Sequence, residues 1–341
     1  MEKILVEELV QFKMLPFDLY NENGEKLVAA GEILTSGKLL QLSQYDTLFK
    51  ITPQTPPVQQ TSAPTQPTPV QKTEFEQQKE SSELIAKAPK EIVFDRTVNK
   101  KSKFRAQSQV DMKTYYATTM FALKENANKD AVQMVDEIKD KILDDVQGVI
   151  SDVKFCSQLK LLGNYQDCHA LNTSILATAM GFKLEYDEDV IEKLATSALL
   201  HDIGTTRLPK ELLEKINLSQ QDTKIFQTHT QIGYKILKYE MGLPEEICLV
   251  ALEHHENNDG SGYPFKLSGE QISPLSRVVG LCSFFDDLTS NRTPHKVKNT
   301  KEALRIMLEV GSKKFFPELL YKFVNMFNYN DLESYDEMMQ Q

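Results

Sequence analysis

The spacing of apolar positions changes twice along the chain, and the changes divide it into three stretches. In residues 1–52, short apolar runs alternate with turn-forming residues. FDLYNENGEKLVAAGEIL sets Asn23-Gly24 between two such runs and predicts a hairpin, SGKLLQLSQY predicts a short helix, and TLFKI a strand. So short a unit has little core of its own, so it is expected to dock elsewhere or to dimerise. Residues 53–90 hold almost nothing to bury: PQTPPVQQTSAPTQPTPVQ places six of the chain's 14 Pro among Gln and Thr, the composition of a semi-extended, flexible linker.

From residue 91 to 341 apolar residues recur at intervals of three and four, as in KDAVQMVDEIKDKILDDVQGVISDV. Helices are predicted over 166–181, closed by Gly181, and over 187–202, entered through the acidic YDED. Further helices follow at LPKELLEK, one long helix over SQQDTKIFQTHTQIGYKILKYE, then PEEICLVALEHH, PLSRVVGLCSFFDDLTS, KEALRIMLEV and PELLYKFVNMF. The predicted fold is mainly α: an all-helical bundle, with a small N-terminal mixed α/β unit joined to it by the linker.

Composition narrows the function. With 39 Lys+Arg against 49 Asp+Glu in 341 residues, the net charge is −10, which lacks the basic footprint that tracking polymeric nucleic acid requires. No run approaches the ~20 apolar residues of a membrane helix, and MEKILVEELVQF lacks the layout of a signal peptide, so a cytoplasmic protein is expected. Cys156, Cys168, Cys248 and Cys282 form no CxxC pair and read as reduced thiols. The six histidines all lie between His169 and His295. His201-Asp202 ends the apolar run SALL, His254-His255 ends VALE, His169 opens a predicted helix and His229 lies inside one. One histidine beside an apolar face is usually an ordinary core or surface residue. Five are harder to explain, because unpaired burial costs each ~1–3 kcal/mol. A shared divalent-metal centre, with Asp202 as a bridging carboxylate, would offset all of them together.

HDIG, followed by THTQIG, HHENNDGSGYP and RVVGLCSFFDDLTSNR, resembles in order and spacing the HD-GYP branch of the HD-domain metal-dependent phosphohydrolases, over about residues 130–328 and with its motif core at about 165–295. The N-terminal unit resembles, more weakly, a module that precedes some of these domains. The resemblance implies an all-α domain holding two, sometimes three, Fe or Mn ions, which hydrolyses cyclic di-GMP to pGpG or GMP. It implies His169, His201 and Asp202 as ligands of a first metal, with His201 and Asp202 as the central catalytic pair. Asp202, His229, His254 and His255 would hold a second. Gly262, Tyr263 and Pro264 match the GYP element over the substrate, and Arg292 matches a residue that reaches its phosphate or guanine, with a surface arginine as the plain alternative. Tyr165 stands where a third metal's carboxylate would be, so two metals at most are expected. The implied partner is cyclic di-GMP or a related cyclic dinucleotide. A homodimer, and a signalling partner for the N-terminal unit, are compatible with the pattern.

The sequence also departs from the family. Ser283 replaces the aspartate that would complete the first metal's ligands, and a hydroxyl is a poor substitute on a hard cation. Losing even an outer partner costs ~10–100-fold in metal affinity or activity, so this first site is expected to be weak. Asp286 matches a different family aspartate, and Asp287 would replace the lost ligand only after a shift of several ångströms. Thr205 stands where the family has a lysine near the scissile phosphate; threonine keeps hydrogen bonding and loses the charge, and such a contact is worth ~2.7–4 kcal/mol in rate. Asn257, where arginine is frequent, thins the positive lining further. His295 reads as a loop histidine. The expected function is therefore a cyclic di-GMP phosphodiesterase of weakened activity; the alternative is a catalytically retired module that binds the dinucleotide or a signalling partner.

Overall fold

A computed structural model describes residues 2–12, 14–45, 47–51, 116–117, 119–120, 123, 129–148, 165–215, 217–290 and 298–327. The linker, Arg292, His295 and the C-terminal tail lie outside the described residues. The chain divides into two compact units, Met1–Lys90 and Glu91–Gln341.

The first unit is a four-stranded antiparallel sheet with two short helices: β1 (Glu2–Ile4), α1 (Val6–Leu9), β2 (Asp18–Tyr20), β3 (Lys26–Val28), α2 (Ser36–Leu42) and β4 (Leu48–Ile51), in strand order β1-β4-β2-β3. The predicted hairpin is β2–β3, with Leu19 opposite Val28. Asn21 closes its turn, its Oδ1 accepting from the backbone of Asn23 at 3.0 Å and Glu25 at 2.9 Å, while Gly24 takes the positive φ of 78° that the turn demands. Leu9, Leu15, Leu19, Leu39 and Leu48 are buried beneath the sheet and helices.

In the second unit the described helices are α3 (Lys129–Gln147), α4 (Tyr165–Lys183), α5 (Glu188–Leu200), α6 (Lys210–Leu213), α7 (Gln220–Gln227), α8 (His229–Lys235), α9 (Glu245–Glu253), α10 (Pro274–Thr289), α11 (Thr300–Lys314) and α12 (Pro317–Val324). Short 3-10 turns lie at Ile203–Arg207 and Gly269–Gln271, and π-helical turns at Ile236–Glu240. α3 is amphipathic, burying Val135, Ile138, Ile142 and Val146 along one stripe. α4 is buried all round from Cys168 to Gly181 and forms the centre of the bundle, with α3, α5 and α10 packed on it. α9 joins α5, α8 and α10 beside it. Cys168, Cys248 and Cys282 are buried thiols outside any disulfide.

Two helix boundaries differ from the sequence expectation. α4 does not stop at Gly181 but runs on to Lys183. That glycine serves packing, because a Cβ there would lie 3.1 Å from Leu194 Cδ2 on α5; the chain turns instead at Glu185, with φ 59°. The long helix expected over 219–240 is broken at Thr228, whose ψ is −14°. The hydroxyls of Thr228 and Thr230 and the ring Nδ1 of His229 donate to the carbonyls of Ile225, Gln227 and Phe226, each three residues back. Side chains that occupy the carbonyls of one turn weaken its helical ladder, so His229 opens a new helix rather than lying inside one.

Packing around this break is tight. A Cβ on Gly204 would overlap the carbonyl oxygen of His229 and lie 2.6 Å from Gly233 N. Gly204→Ala is therefore expected to force the 3-10 turn and α8 apart, costing about 1–3 kcal/mol of stability. Chemical denaturation checks this, and an unchanged unfolding midpoint would contradict the packing described.

Candidate metal centre

Each histidine of the cluster is positioned by the end of a helix or by a partner on another helix. His201 and Asp202 leave α5 just after Leu200, His229 opens α8, and His254 and His255 follow α9. In each of three cases the ring Nδ1 donates to the carbonyl of the preceding turn: His201 to Ala198 at 2.7 Å, His229 to Phe226 at 2.7 Å, His254 to Val250 at 3.0 Å. A carbonyl only accepts, so Nδ1 carries a proton, and in the neutral tautomer that this fixes Nε2 is the lone-pair atom a metal would use. His169 is oriented differently. Its Nδ1 is 2.7 Å from Asp286 Oδ2, and Asp286 Oδ1 also accepts from Asn172 Nδ2 at 2.9 Å.

The inward-facing atoms form two groups that share Asp202: Asp202, His229, His254 and His255 in one, and His169, His201 and Asp202 in the other, with ligand atoms within 4.8 Å of one another in each. Asp202 Oδ1 lies 3.2 Å from His229 Nε2 and 3.4 Å from His254 Nε2, and these three buried atoms have no hydrogen-bond partner. In the second group, His201 Nε2 is 3.2 Å from His169 Nε2 and 3.8 Å from Asp202 Oδ2. Around Asp202 Oδ1, His229 Nε2 and His254 Nε2, acceptors that face one another without a hydrogen bond repel and are stabilised by a cation. The donor set therefore fits divalent metal, imidazole and carboxylate together being a common transition-metal combination.

Electrostatics favour the metal-ready forms. Burial lowers His201 to a pKa of about 3 and holds His255 well below its usual value, so both rings stay neutral. Asp202 is held well below the carboxylate range: burial opposes ionisation, but His201, His229 and His254 outweigh it. His169 is the exception. Burial disfavours its charge, yet the hydrogen bond to Asp286 and the charges of Asp287, Asp286 and Asp202 raise it to about 9.

The Gly262-Tyr263-Pro264 segment folds directly over this cluster. The Tyr263 ring stacks on His255, with centroids 4.6 Å apart at 23°, and its N–H donates to the His255 carbonyl at 3.3 Å. A Cβ on Gly262 would lie 2.5 Å from that same carbonyl, so only glycine permits the approach. The loop is held from below by Glu256, whose carboxylate accepts from Phe265 N at 2.7 Å and Leu267 N at 3.0 Å; burial pushes its pKa up to about 8.

The departures take definite shape. Ser283 is buried with its Oγ 3.3 Å from His169 Nε2, beside the group that contains His169 and His201, and brings no carboxylate to it. Asp287 Oδ1 lies 3.9 Å from His169 Nδ1, the side of the ring away from the cluster, and does not replace the missing ligand. Thr205 keeps hydrogen bonding without the charge: its Oγ1 donates to the Asp202 carbonyl at 2.7 Å. Two residues were missed as contributors. Asp286 was not recognised as the acceptor that orients His169, nor Glu256 as the support of the loop. The available signal was an acidic residue inside a buried apolar stretch, Cys282–Asp286 in one case and the residue after His254-His255 in the other.

Metal binding should stabilise the fold, since the free site buries mutually repulsive donors. Adding Mn²⁺ to chelator-treated protein at about 100 times its dissociation constant is expected to add about 2.7 kcal/mol, a rise of roughly 5–10 °C in Tm. His254→Ala should lose most of the metal-dependent shift. Differential scanning calorimetry reads both, and equal shifts in the two proteins would count against the ligand set.

Comparison with known proteins agrees with this geometry. Residues 156–319 match the family model described as HD domain. Over 195 residues the chain is 33% identical to the cyclic di-GMP phosphodiesterase PA4108 of Pseudomonas aeruginosa, covering 57% of this chain and 46% of that one. Over 174 residues it is 32% identical to the cyclic di-GMP phosphodiesterase PdeB of Borreliella burgdorferi, covering 51% and 46%. The chain thus spans about half the length of the curated relatives it matches. In fold it is similar to Bd1817, an HDG"Y"P protein from Bdellovibrio bacteriovorus, with a TM-score of 0.53 at 18% identity over 95% of this chain and 98% of that one. No helix among the described residues is long and apolar enough to cross a membrane. Helical bundle, paired His/Asp groups and sequence similarity converge: residues 156–319 match the HD domain, as the resemblance of their motifs to the HD-GYP branch implies.

Proposed function

We propose that the centre hydrolyses a phosphodiester bond of cyclic di-GMP, and that it does so slowly. The observation that carries this reading is the pair of donor groups sharing Asp202, an arrangement that suits two cations side by side and needs no protein nucleophile. Two divalent ions, Fe or Mn, held by His169, His201 and Asp202 and by Asp202, His229, His254 and His255, would activate water and neutralise the phosphate charge. The chain's own residues hold that chemistry in place. Nδ1 anchoring on backbone carbonyls keeps each Nε2 aimed inward, Asp286 fixes His169, and the Tyr263 ring covers His255. Water oxygen bonds to phosphorus, the bond from phosphorus to the 3′ oxygen breaks, and that oxygen gains a proton, which opens the ring to a linear dinucleotide.

Slow turnover follows from the two departures. The group containing His169 lacks a carboxylate at Ser283, so its ion is held more loosely than the one beside His229 and His254. Thr205 carries no charge and its proton is already donated to Asp202, so transition-state charge at that position goes unanswered. The same two residues support a second reading, a retired module that binds the dinucleotide without cleaving it.

Anaerobic, Mn- or Fe-loaded protein separates these readings. Wild type is expected to convert cyclic di-GMP at a low rate that His201→Ala abolishes, and the Ser283→Asp, Thr205→Lys double variant should be at least tenfold faster. A wild type that binds the ligand while both it and the double variant are inert would overturn the enzyme reading.

A further inference from the structure

Thr205 and Asn257 are neutral, so neither adds a side-chain charge to the metals' attraction for an anionic substrate. Lys314, at the C-terminal end of α11, is mostly buried, and its Nζ donates to Asn257 Oδ1 at 2.9 Å. The ammonium lies 4.8 Å from the centroid of the Phe284 ring and 5.9 Å from that of Phe315. Along the chain these neighbours stand beside site residues: Asn257 two positions after His255, and Phe284 directly after Ser283.

An ammonium has three protons to donate, and here one is placed on Asn257. Among the described residues no carboxylate closes an ion pair with it; Asp287 and Asp259 attract it only at longer range. Burial is the larger influence and lowers its pKa. With only the neutral amide of Asn257 at hydrogen-bond distance among the described residues, the ammonium keeps its charge and two further protons for an incoming anion. Its position is also set in advance. Asn258 N donates to the Lys314 carbonyl at 3.1 Å, Asp259 N to that of Lys313 at 2.9 Å, and Asn258 Nδ2 to that of Ser312 at 2.8 Å. The segment carrying Lys314 is thereby clamped to the segment that follows the histidine pair, and a pre-placed charge binds without reorganisation.

We infer that Lys314 is a substrate-binding residue: its ammonium takes a phosphate oxygen of the anionic phosphodiester, supplying charge that positions 205 and 257 lack. The inference rests on the phosphodiesterase reading of the centre. A purely structural lysine would act only by holding Asn257, and the two roles respond differently to substitution.

The test is binding of a hydrolysis-resistant phosphorothioate analogue of cyclic di-GMP to the metal-loaded full chain, at two salt concentrations. Lys314→Met is expected to weaken binding about 10–100-fold, the worth of a hydrogen bond to a charged group, and to reduce its salt dependence. Metal content and Tm should stay near those of wild type. Lys314→Arg should recover most of the affinity, and Asn257→Ala, which keeps the ammonium, should cost much less than Lys314→Met. Equal losses in Asn257→Ala and Lys314→Met, or unchanged binding in Lys314→Met, would overturn the inference alone. A wild type that neither binds nor cleaves the dinucleotide would overturn the functional reading and this inference with it.

Discussion

The helical unit is organised around one carboxylate. Asp202 presents its Oδ1 to the Nε2 atoms of His229 and His254, where none of the three buried atoms has a hydrogen-bond partner, and its Oδ2 towards His201 and His169. Repulsion between buried acceptors is unfavourable for a folded chain unless a cation relieves it. The surrounding fold nevertheless reinforces the arrangement. Three rings are locked by backbone carbonyls of the preceding turn, and the close approach at Gly204 presses the Asp202 turn onto α8. Stability sacrificed at a polar cluster and held by rigid neighbours is the pattern of a functional site.

The two halves of the centre are not equivalent. The half containing His229, His254 and His255 is complete within the chain, and Tyr263 and Glu256 support it from the loop that follows. The half containing His169 depends on an outer carboxylate, Asp286, while a serine hydroxyl stands 3.3 Å from its Nε2. Asp286 raises the proton affinity of His169, so an ion binding there must displace a proton that the neighbouring rings do not carry. Strong orientation and weak completion thus meet at the same histidine.

Much of this was legible along the chain. The His201-Asp202 and His254-His255 pairs end buried apolar helices, and the change from alternating to helical spacing separated the small sheet from the bundle. The break before His229 was not legible, because the apolar period runs through SQQDTKIFQTHTQIGYK without interruption; only the three side chains that occupy its carbonyls reveal it. Gly181 read as a helix stop because a glycine's packing partner, here Leu194, is invisible in sequence. The contacts of Asp286 with His169 and of Lys314 with Asn257 span 117 and 57 residues. Neither leaves a local pattern, and they are where the structure adds most.

The central claim is that Asp202 is shared by two bound cations of unequal strength. Anomalous X-ray scattering from crystals of the Mn-loaded full chain tests it directly. A strong peak is expected bounded by Asp202, His229, His254 and His255, with a weaker one beside His169 and His201 that gains occupancy in Ser283→Asp. Anomalous peaks remote from Asp202, or none at all in crystals grown with saturating metal, would contradict it.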